Sequence, residues 1–206
     1  MKMFRRYVLI ALTGLVLAAC GGEDSARPSG DAKDLIDMTM GPETAPATLV
    51  EYASTTCGAC AYYYENMHET IETLTEEGKL YFVFREFPRD QVDIAGFAVA
   101  RCAGAENYFE VLGDLFKNQR GILAASRNGT VRNALEAIAA RHGIDQGKFE
   151  SCLADEDIRT AISNASIFGT NEGVRATPTL FLNGVELDGA DGRTPESLIA
   201  LVDAEQ

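Results

Sequence analysis

The sequence predicts an α/β fold, and three observations carry that reading. An apolar strand, a helix and a second strand follow one another between residues 47 and 88. From residue 90 to about residue 169 the periodicity is helical only. Strand character then returns around an Asn-Gly turn, and a last helix follows.

The elements follow in order. "ATLVEYAS" (Ala47–Ser54) sets Leu49, Val50, Tyr52 and Ala53 around a single charge, Glu51, as in a mostly buried strand. From Gly58 onward, Tyr63, Met67, Thr70, Ile71 and Leu74 recur at helical spacing, and Gly78 supplies a stop. "KLYFVFREFP" (Lys79–Pro88) is a second strand, rich in aromatic and branched side chains and ended by Pro88. The unit is β-α-β. Next, "DIAGFAVARCAGAENYFEVLGDLFKNQ", "VRNALEAIAARHG" and "DQGKFESCLADEDIRTAISNASIFG" each carry apolar residues at helix periods, with glycine punctuation between them. In "TPTLFLNGVEL" (Thr177–Leu187), Asn183-Gly184 signals a hairpin. "TPESLIALVDA" opens with Thr194 as N-cap and Pro195 at the first helical position, then presents Leu198, Ile199, Leu201 and Val202. No internal repeat is visible.

The start of the 206-residue chain reads as an address. Lys2, Arg5 and Arg6 precede an uncharged apolar segment, Tyr7–Ala19, too short to span a bilayer as a stable helix. Residues 1–19 are therefore expected to be a signal peptide. Leu17-Ala18-Ala19-Cys20 resembles the lipobox of bacterial lipoproteins, in which cleavage leaves the cysteine N-terminal and lipid-modified. The alternative is an ordinary secretory signal in which Cys20 is incidental. Residues 20–34 are small and polar, as in a flexible tether, and residues 35–206 suffice for one domain with a sizeable core. The net charge of −13 becomes −16 without Lys2, Arg5 and Arg6, with 15 Lys+Arg left against 31 Asp+Glu. Such a surface repels phosphate backbones and anionic headgroups, so nucleic acid is excluded as a partner. A solvated acidic face is the plainer use of this charge.

Five cysteines leave one unpaired in an exported protein unless Cys20 carries lipid. Cys57, Cys60, Cys102 and Cys152 then remain in an oxidising compartment. Four cysteines permit three pairings, of which one keeps Cys57 with Cys60 and joins Cys102 to Cys152. Export and even parity favour a structural Cys102–Cys152 disulfide over the alternative of two buried thiols behaving as small apolar residues. Cys57-Gly58-Ala59-Cys60 stands at a strand-to-helix junction. Two intervening residues let the sulfurs approach disulfide distance within one helical turn. At the helix start Cys57 meets unpaired N–H groups and the positive end of the helix dipole, which favour a thiolate. Thiols so placed have pKa values of about 3.5 to 7 instead of about 8.5, which suits both attack and departure. Cys57 is thus expected to be the solvent-facing, attacked sulfur and Cys60 the resolving one.

Together, strand–CxxC–helix, Thr177-Pro178 before a later strand, a hairpin and a last helix resemble the thioredoxin fold. The inserted helical subdomain, about residues 90–169, looks like that of the DsbA family of exported thiol:disulfide oxidoreductases. The resemblance covers roughly Met38 to Val202. It implies a cis proline at Thr177-Pro178, lying against the CxxC and offering backbone to a substrate chain; a trans turn is the blander reading. It also implies that Glu51 is a partly buried carboxylate moving protons for Cys60, rather than an edge residue facing water; Arg85 is the candidate for its charge partner. A second bridge between Cys102 and Cys152 agrees with some members. Gly58-Ala59 lacks the histidine of strongly oxidising members, which bears on potency. His68 and His142 read as surface or boundary residues. Of Tyr62, Tyr63 and Tyr64, Tyr63 belongs to the core and the others to the rim.

The function expected from this resemblance is that of a monomeric periplasmic oxidase needing no cofactor or metal. It would be anchored through Cys20 to the inner or outer membrane, with Gly21 leaning outward. It would pass the Cys57–Cys60 disulfide to exported cysteine-containing proteins and be reoxidised by a DsbB-like, quinone-linked membrane partner. A disulfide isomerase or reductase is the alternative. Isomerases of the superfamily usually carry an N-terminal dimerisation domain, for which residues 21–34 are too short, although Thr177 before the proline is found among them. A zinc site made by Cys57, Cys60, Cys102 and Cys152 belongs to another class, disfavoured by their spacing. An idle lipoprotein keeping the fold as a binding module is a third, and the intact cysteine pair counts against it.

Overall fold

The computed structural model describes residues 32–206. The expected signal peptide 1–19, Cys20 and the tether as far as residue 31 lie outside the described residues. A five-stranded mixed sheet forms the centre, in the order β1-β3-β2-β4-β5. Its strands are β1 (Met38–Met40), β2 (Ala47–Ala53), β3 (Leu80–Glu86), β4 (Thr179–Leu182) and β5 (Val185–Glu186). The middle strand β2 runs parallel to β3 and antiparallel to β4. Helix α1 (Gly58–Glu76) makes the β2-to-β3 crossover.

β2 is covered on both faces, which is why its sequence is nearly continuous in apolar residues. Successive side chains alternate between the faces. On one side α1 contributes Cys60, Tyr63, Met67, Ile71 and Leu74 to the core, the stripe its spacing foretells. On the other, Tyr52 lies against α7 (Glu156–Asn171), where Gly169 leaves space for its ring. A Cβ at Gly169 would come within 2.5 Å of that ring, so only glycine fits.

The helical block comprises α2 (Gln91–Cys102), α3 (Tyr108–Lys117), α4 (Gln119–Arg127), α5 (Val131–Arg141), α6 (Gln146–Ala154) and α7. Two of the three helical stretches read from the sequence are broken further. Gly104, at φ 84°, follows the end of α2 and leads into a short 3-10 turn at Ala105–Asn107. Asp155 separates α6 from α7 by capping the N–H groups of Asp157 and Ile158. Strand β1 carried no sequence signal; three residues are too few to show a period, and it is held by pairing Met38 with Phe84.

A disulfide joins Cys102 at the end of α2 to Cys152 on α6. Nearby, Arg101 grips the buried Glu86 at the end of β3 through Nε (2.6 Å) and Nη2 (2.7 Å), and the Tyr108 hydroxyl donates to the same carboxylate at 3.0 Å. Removing either charge would strand the other and cost about 3–5 kcal/mol. The β4–β5 hairpin turns through Asn183 and Gly184, both at positive φ (47° and 81°), as its dipeptide demands. The closing helix α8 (Pro195–Asp203) is capped by Thr194, whose side chain accepts from the Ser197 N–H.

Candidate active site

β2 ends at Ala53, and Ser54, Thr55 and Thr56 carry the chain into α1, with Cys57 as the N-cap residue. Three hydroxyls at a buried strand end need acceptors, and one side chain supplies them. The carboxylate of Asp93 on α2, fully buried, accepts from Ser54 Oγ (2.8 Å), Thr55 Oγ1 (2.7 Å), Thr56 Oγ1 (2.9 Å), the Thr56 N–H (2.8 Å) and the Arg89 N–H (2.8 Å). Gln119, at the start of α4, donates its amide to the carbonyls of Thr55 (2.7 Å) and Cys57 (2.9 Å). Both clamps come from the helical block. Sequence reasoning passed over both; the available signal was a charged residue set among the apolar positions of "DIAGFAVA".

Cys57 and Cys60 are reduced. Cys60 is sealed at 0% exposure, whereas the sulfur of Cys57, in a residue 7% exposed, lines an open pocket beside Thr177. The expectation of a solvent-facing Cys57 therefore needs correcting in degree: the residue is buried, with its thiol 3.2 Å from the Thr177 carbonyl. The Cys57 thiol is held down to about 5, first by the hydrogen bond from the Cys60 thiol, then by Thr177 and the backbone N–H groups of Cys60 and Ala59, with burial opposing. In the neutral form the thiol donates to the Thr177 carbonyl at 3.2 Å. Cys60 goes the other way: burial, donation to Cys57 and the charge of Glu51 push its thiol far up. One sulfur is an acceptor and its neighbour a donor.

Glu51 sits in mid-strand on β2, in register with Phe84 and Leu180, and is 5% exposed. Burial raises its carboxyl to about 8, opposed by the charge of Arg193 and reinforced by Cys57. Among the described residues no side chain hydrogen-bonds this carboxyl. It borders a cavity of about 10 Å3 shared with Tyr63, Tyr64 and His68. Arg85 is not its partner, contrary to expectation. Arg85 pairs in register with Tyr52, not Glu51, and its guanidinium engages Asp37 (2.9 Å twice) and the Tyr52 hydroxyl (2.8 Å). The cation facing Glu51 is Arg193, just before α8, a residue that no local pattern singles out.

The Thr177–Pro178 peptide is cis. Arg193 Nη2 donates to the Pro178 carbonyl at 3.2 Å, and Thr179 Oγ1 donates to the Ala176 carbonyl at 2.8 Å, fixing this segment from both sides. The histidines lie apart from the sulfurs: His68 pairs with Glu72 at 3.1 Å and His142 with Asp114 at 3.0 Å. Tyr63 is buried with its hydroxyl on the Gly192 carbonyl, Tyr62 is 68% exposed, and Tyr64 stacks on His68.

Residues 33–204 match a family model described as thioredoxin. The chain belongs to the thioredoxin family. This thioredoxin-family chain is 30% identical over 154 residues to a Rickettsia bellii protein provisionally named a protein-disulfide oxidoreductase. The match takes in 74% of the chain and 59% of the relative, so the chain spans less than two thirds of that relative's length. Among solved structures, alpha-DsbA1 of Wolbachia pipientis superposes with a TM-score of 0.74 at 26% identity, over 82% of this chain and 90% of that one. BdbD of Bacillus subtilis shares the fold, with a TM-score of 0.68 at 16% identity over 87% and 95% of the two chains. The thioredoxin fold with added helices, read from the sequence as DsbA-like, is borne out. The Cys102–Cys152 bridge uses two of the four sulfurs that the zinc reading required, and that reading falls.

Proposed function

We propose that the protein is a thiol:disulfide oxidoreductase that gives its Cys57–Cys60 disulfide to cysteine-containing proteins. One observation carries this: adjacent thiols are held in opposite protonation states, Cys57 down to about 5 and Cys60 pushed up by burial. The names of the Rickettsia and Wolbachia relatives point the same way.

The geometry makes the exchange concrete. In the oxidised protein a client thiolate attacks Sγ of Cys57, the S–S bond breaks, and its electron pair leaves on Cys60. Glu51, protonated at neutral pH because its pKa is near 8, is the buried acid that returns a proton to the departing Cys60 sulfur. A second client thiolate then attacks the client sulfur of the mixed disulfide, and Cys57 departs as a thiolate already suited to leave. The client is oxidised by two electrons and the protein is reduced by two. The segment ending at cis Pro178 lies against Cys57 and offers backbone for the client to pair with.

The rest of the reading extends from the sequence. The protein acts outside the cytoplasm, anchored through lipid on Cys20 to the inner or outer membrane. A DsbB-like, quinone-linked membrane protein reoxidises it. Trapping tests the exchange: Cys60→Ala should accumulate mixed disulfides through Cys57, and a variant that captures no client would refute the roles. The reduction potential tests the direction, since oxidases lie near about −120 mV and reductants near about −270 mV.

A further inference from the structure

Beside Cys57 a pocket of about 350 Å3 opens between the end of β3 and the segment before β4, lined by Cys57, Phe87, Arg89, Arg175, Ala176 and Thr177. Phe87 forms an apolar wall, held by its N–H on the Ala53 carbonyl (2.8 Å) and by edge-on contact with Tyr52. Both charged residues of the lining are cations, and no carboxylate is among them, in a chain with 31 Asp+Glu against 18 Lys+Arg. The local sign is thus inverted at the reactive sulfur.

The two guanidiniums are placed rather than loose. The Arg89 backbone N–H is one of the five donors to buried Asp93, so the carboxylate that fixes the Cys57 loop also fixes the origin of Arg89. The exposed Arg89 guanidinium has no hydrogen-bond or ion-pair partner among the described residues. Arg175 Nη1 donates to the carbonyls of Thr170 (2.8 Å) and Val174 (2.9 Å), which orients the group and leaves its Nε and Nη2 edge without a partner among the described residues. A planar fork with a free edge is the shape that accepts a carboxylate.

We propose that this pocket is a client subsite for an acidic side chain, Asp or Glu, lying close in sequence to the client cysteine. An extended chain advances about 3.3 Å per residue, so the acid falls within two or three positions of the client cysteine. Its methylenes rest on Phe87 and Ala176 while its carboxylate meets Arg89 and Arg175. This assignment rests on the exchange reading above and deepens it. The client chemistry is an unfolded or extended acidic segment, for which the pocket is a local attractor on a surface that otherwise repels it.

The test uses the full-length oxidised protein and reduced single-cysteine peptides differing only in their flanks: Asp/Glu, the isosteric Asn/Gln, or Lys. Each rate is divided by that peptide's rate with a small neutral disulfide, which removes the effect of the flanks on the peptide's own thiol. The acidic peptide is expected to react about three- to tenfold faster than the amide peptide at low salt, and the Lys peptide slower than both. The preference should fade near 1 M salt, where the Debye length is about 3 Å. The double variant Arg89→Gln/Arg175→Gln should bring the acidic-to-amide ratio to about one. A wild-type ratio within about twofold of one at low salt, or a preference retained in the double variant, overturns the subsite while leaving exchange intact. If even the amide peptide fails to exchange, the activity itself is wrong and the subsite falls with it.

Discussion

The buried carboxylate of Asp93 accepts hydrogen bonds from both the backbone N–H (2.8 Å) and the hydroxyl (2.9 Å) of Thr56, the residue that leads into Cys57. Asp93 belongs to α2, at the start of the helical block, and Thr56 to the junction of the β-α-β unit. The added helices therefore take part in setting the reactive loop. Asp93→Ala would leave three hydroxyls and the N–H groups of Thr56 and Arg89 without their acceptor. We expect it to cost about 3–5 kcal/mol in urea unfolding. Asp93→Asn keeps the shape but aims an NH2 at donors, and should recover only part of the loss. A loss below about 1 kcal/mol for the alanine variant would mean that the loop holds itself.

The low pKa of Cys57 predicts how the reduced protein meets an alkylating agent. The rate should rise with pH through a midpoint near 5 and flatten above it. An ordinary midpoint near about 8.5 would remove the basis of the mechanism. The same ionisation enters stability. The folded pKa lies below the unfolded one, so the reduced form gains stability as pH rises from about 5 toward the unfolded value, and loses it as pH falls through 5. The disulfide form has no such proton. The slope of reduction potential against pH should accordingly be about half as steep above pH 5 as below it, because one proton instead of two then accompanies reduction.

Glu51→Gln separates proton transfer from packing. The raised pKa means that Glu51 folds neutral: stability is full below about pH 4.5 and declines as pH rises toward about 8. The glutamine variant lacks this loss. It should be more stable than wild type at pH 7 by on the order of 2–4 kcal/mol, with the two converging near pH 4. Release of client from the mixed disulfide should also slow in its reductive direction, where Cys60 must lose its proton before it attacks. A Glu51→Gln protein with the wild-type pH dependence of stability, and unchanged release, would make Glu51 a bystander.

Strands β2 to β5, the CxxC junction and the last helix were legible because each is written in local pattern: apolar runs, Asn183-Gly184, and Thr194-Pro195. The clamps on the loop were not. Asp93 and Gln119 reach Thr55 across more than sixty positions in one case and almost forty in the other, and nothing local marks a side chain that points inward to accept or donate. Glu51 could be chosen because it is a lone charge in an apolar strand, yet its partner was misjudged. Arg85 is near in register, but Arg193 arrives from the far end of the chain. Pattern reveals which residues are unusual; only the fold reveals who faces them.

The bridge between Cys102 and Cys152 should stabilise the helical block without tuning the reactive sulfur. It closes a separation of 50 residues, for which the loop-entropy relation gives about 4 kcal/mol and measured bridges commonly give 2–4. It ties the last turn of α2 to α6, whereas Asp93 stands in the first turn of α2 with five hydrogen bonds of its own. In Cys102→Ala/Cys152→Ala, urea unfolding should therefore lose about 2–4 kcal/mol while the alkylation midpoint of Cys57 stays near 5. Measuring both on one sample decides between two designs. If the midpoint climbs with the loss of the bridge, the order of α2 is transmitted through Asp93 to Cys57, and the second disulfide is a regulator of the first.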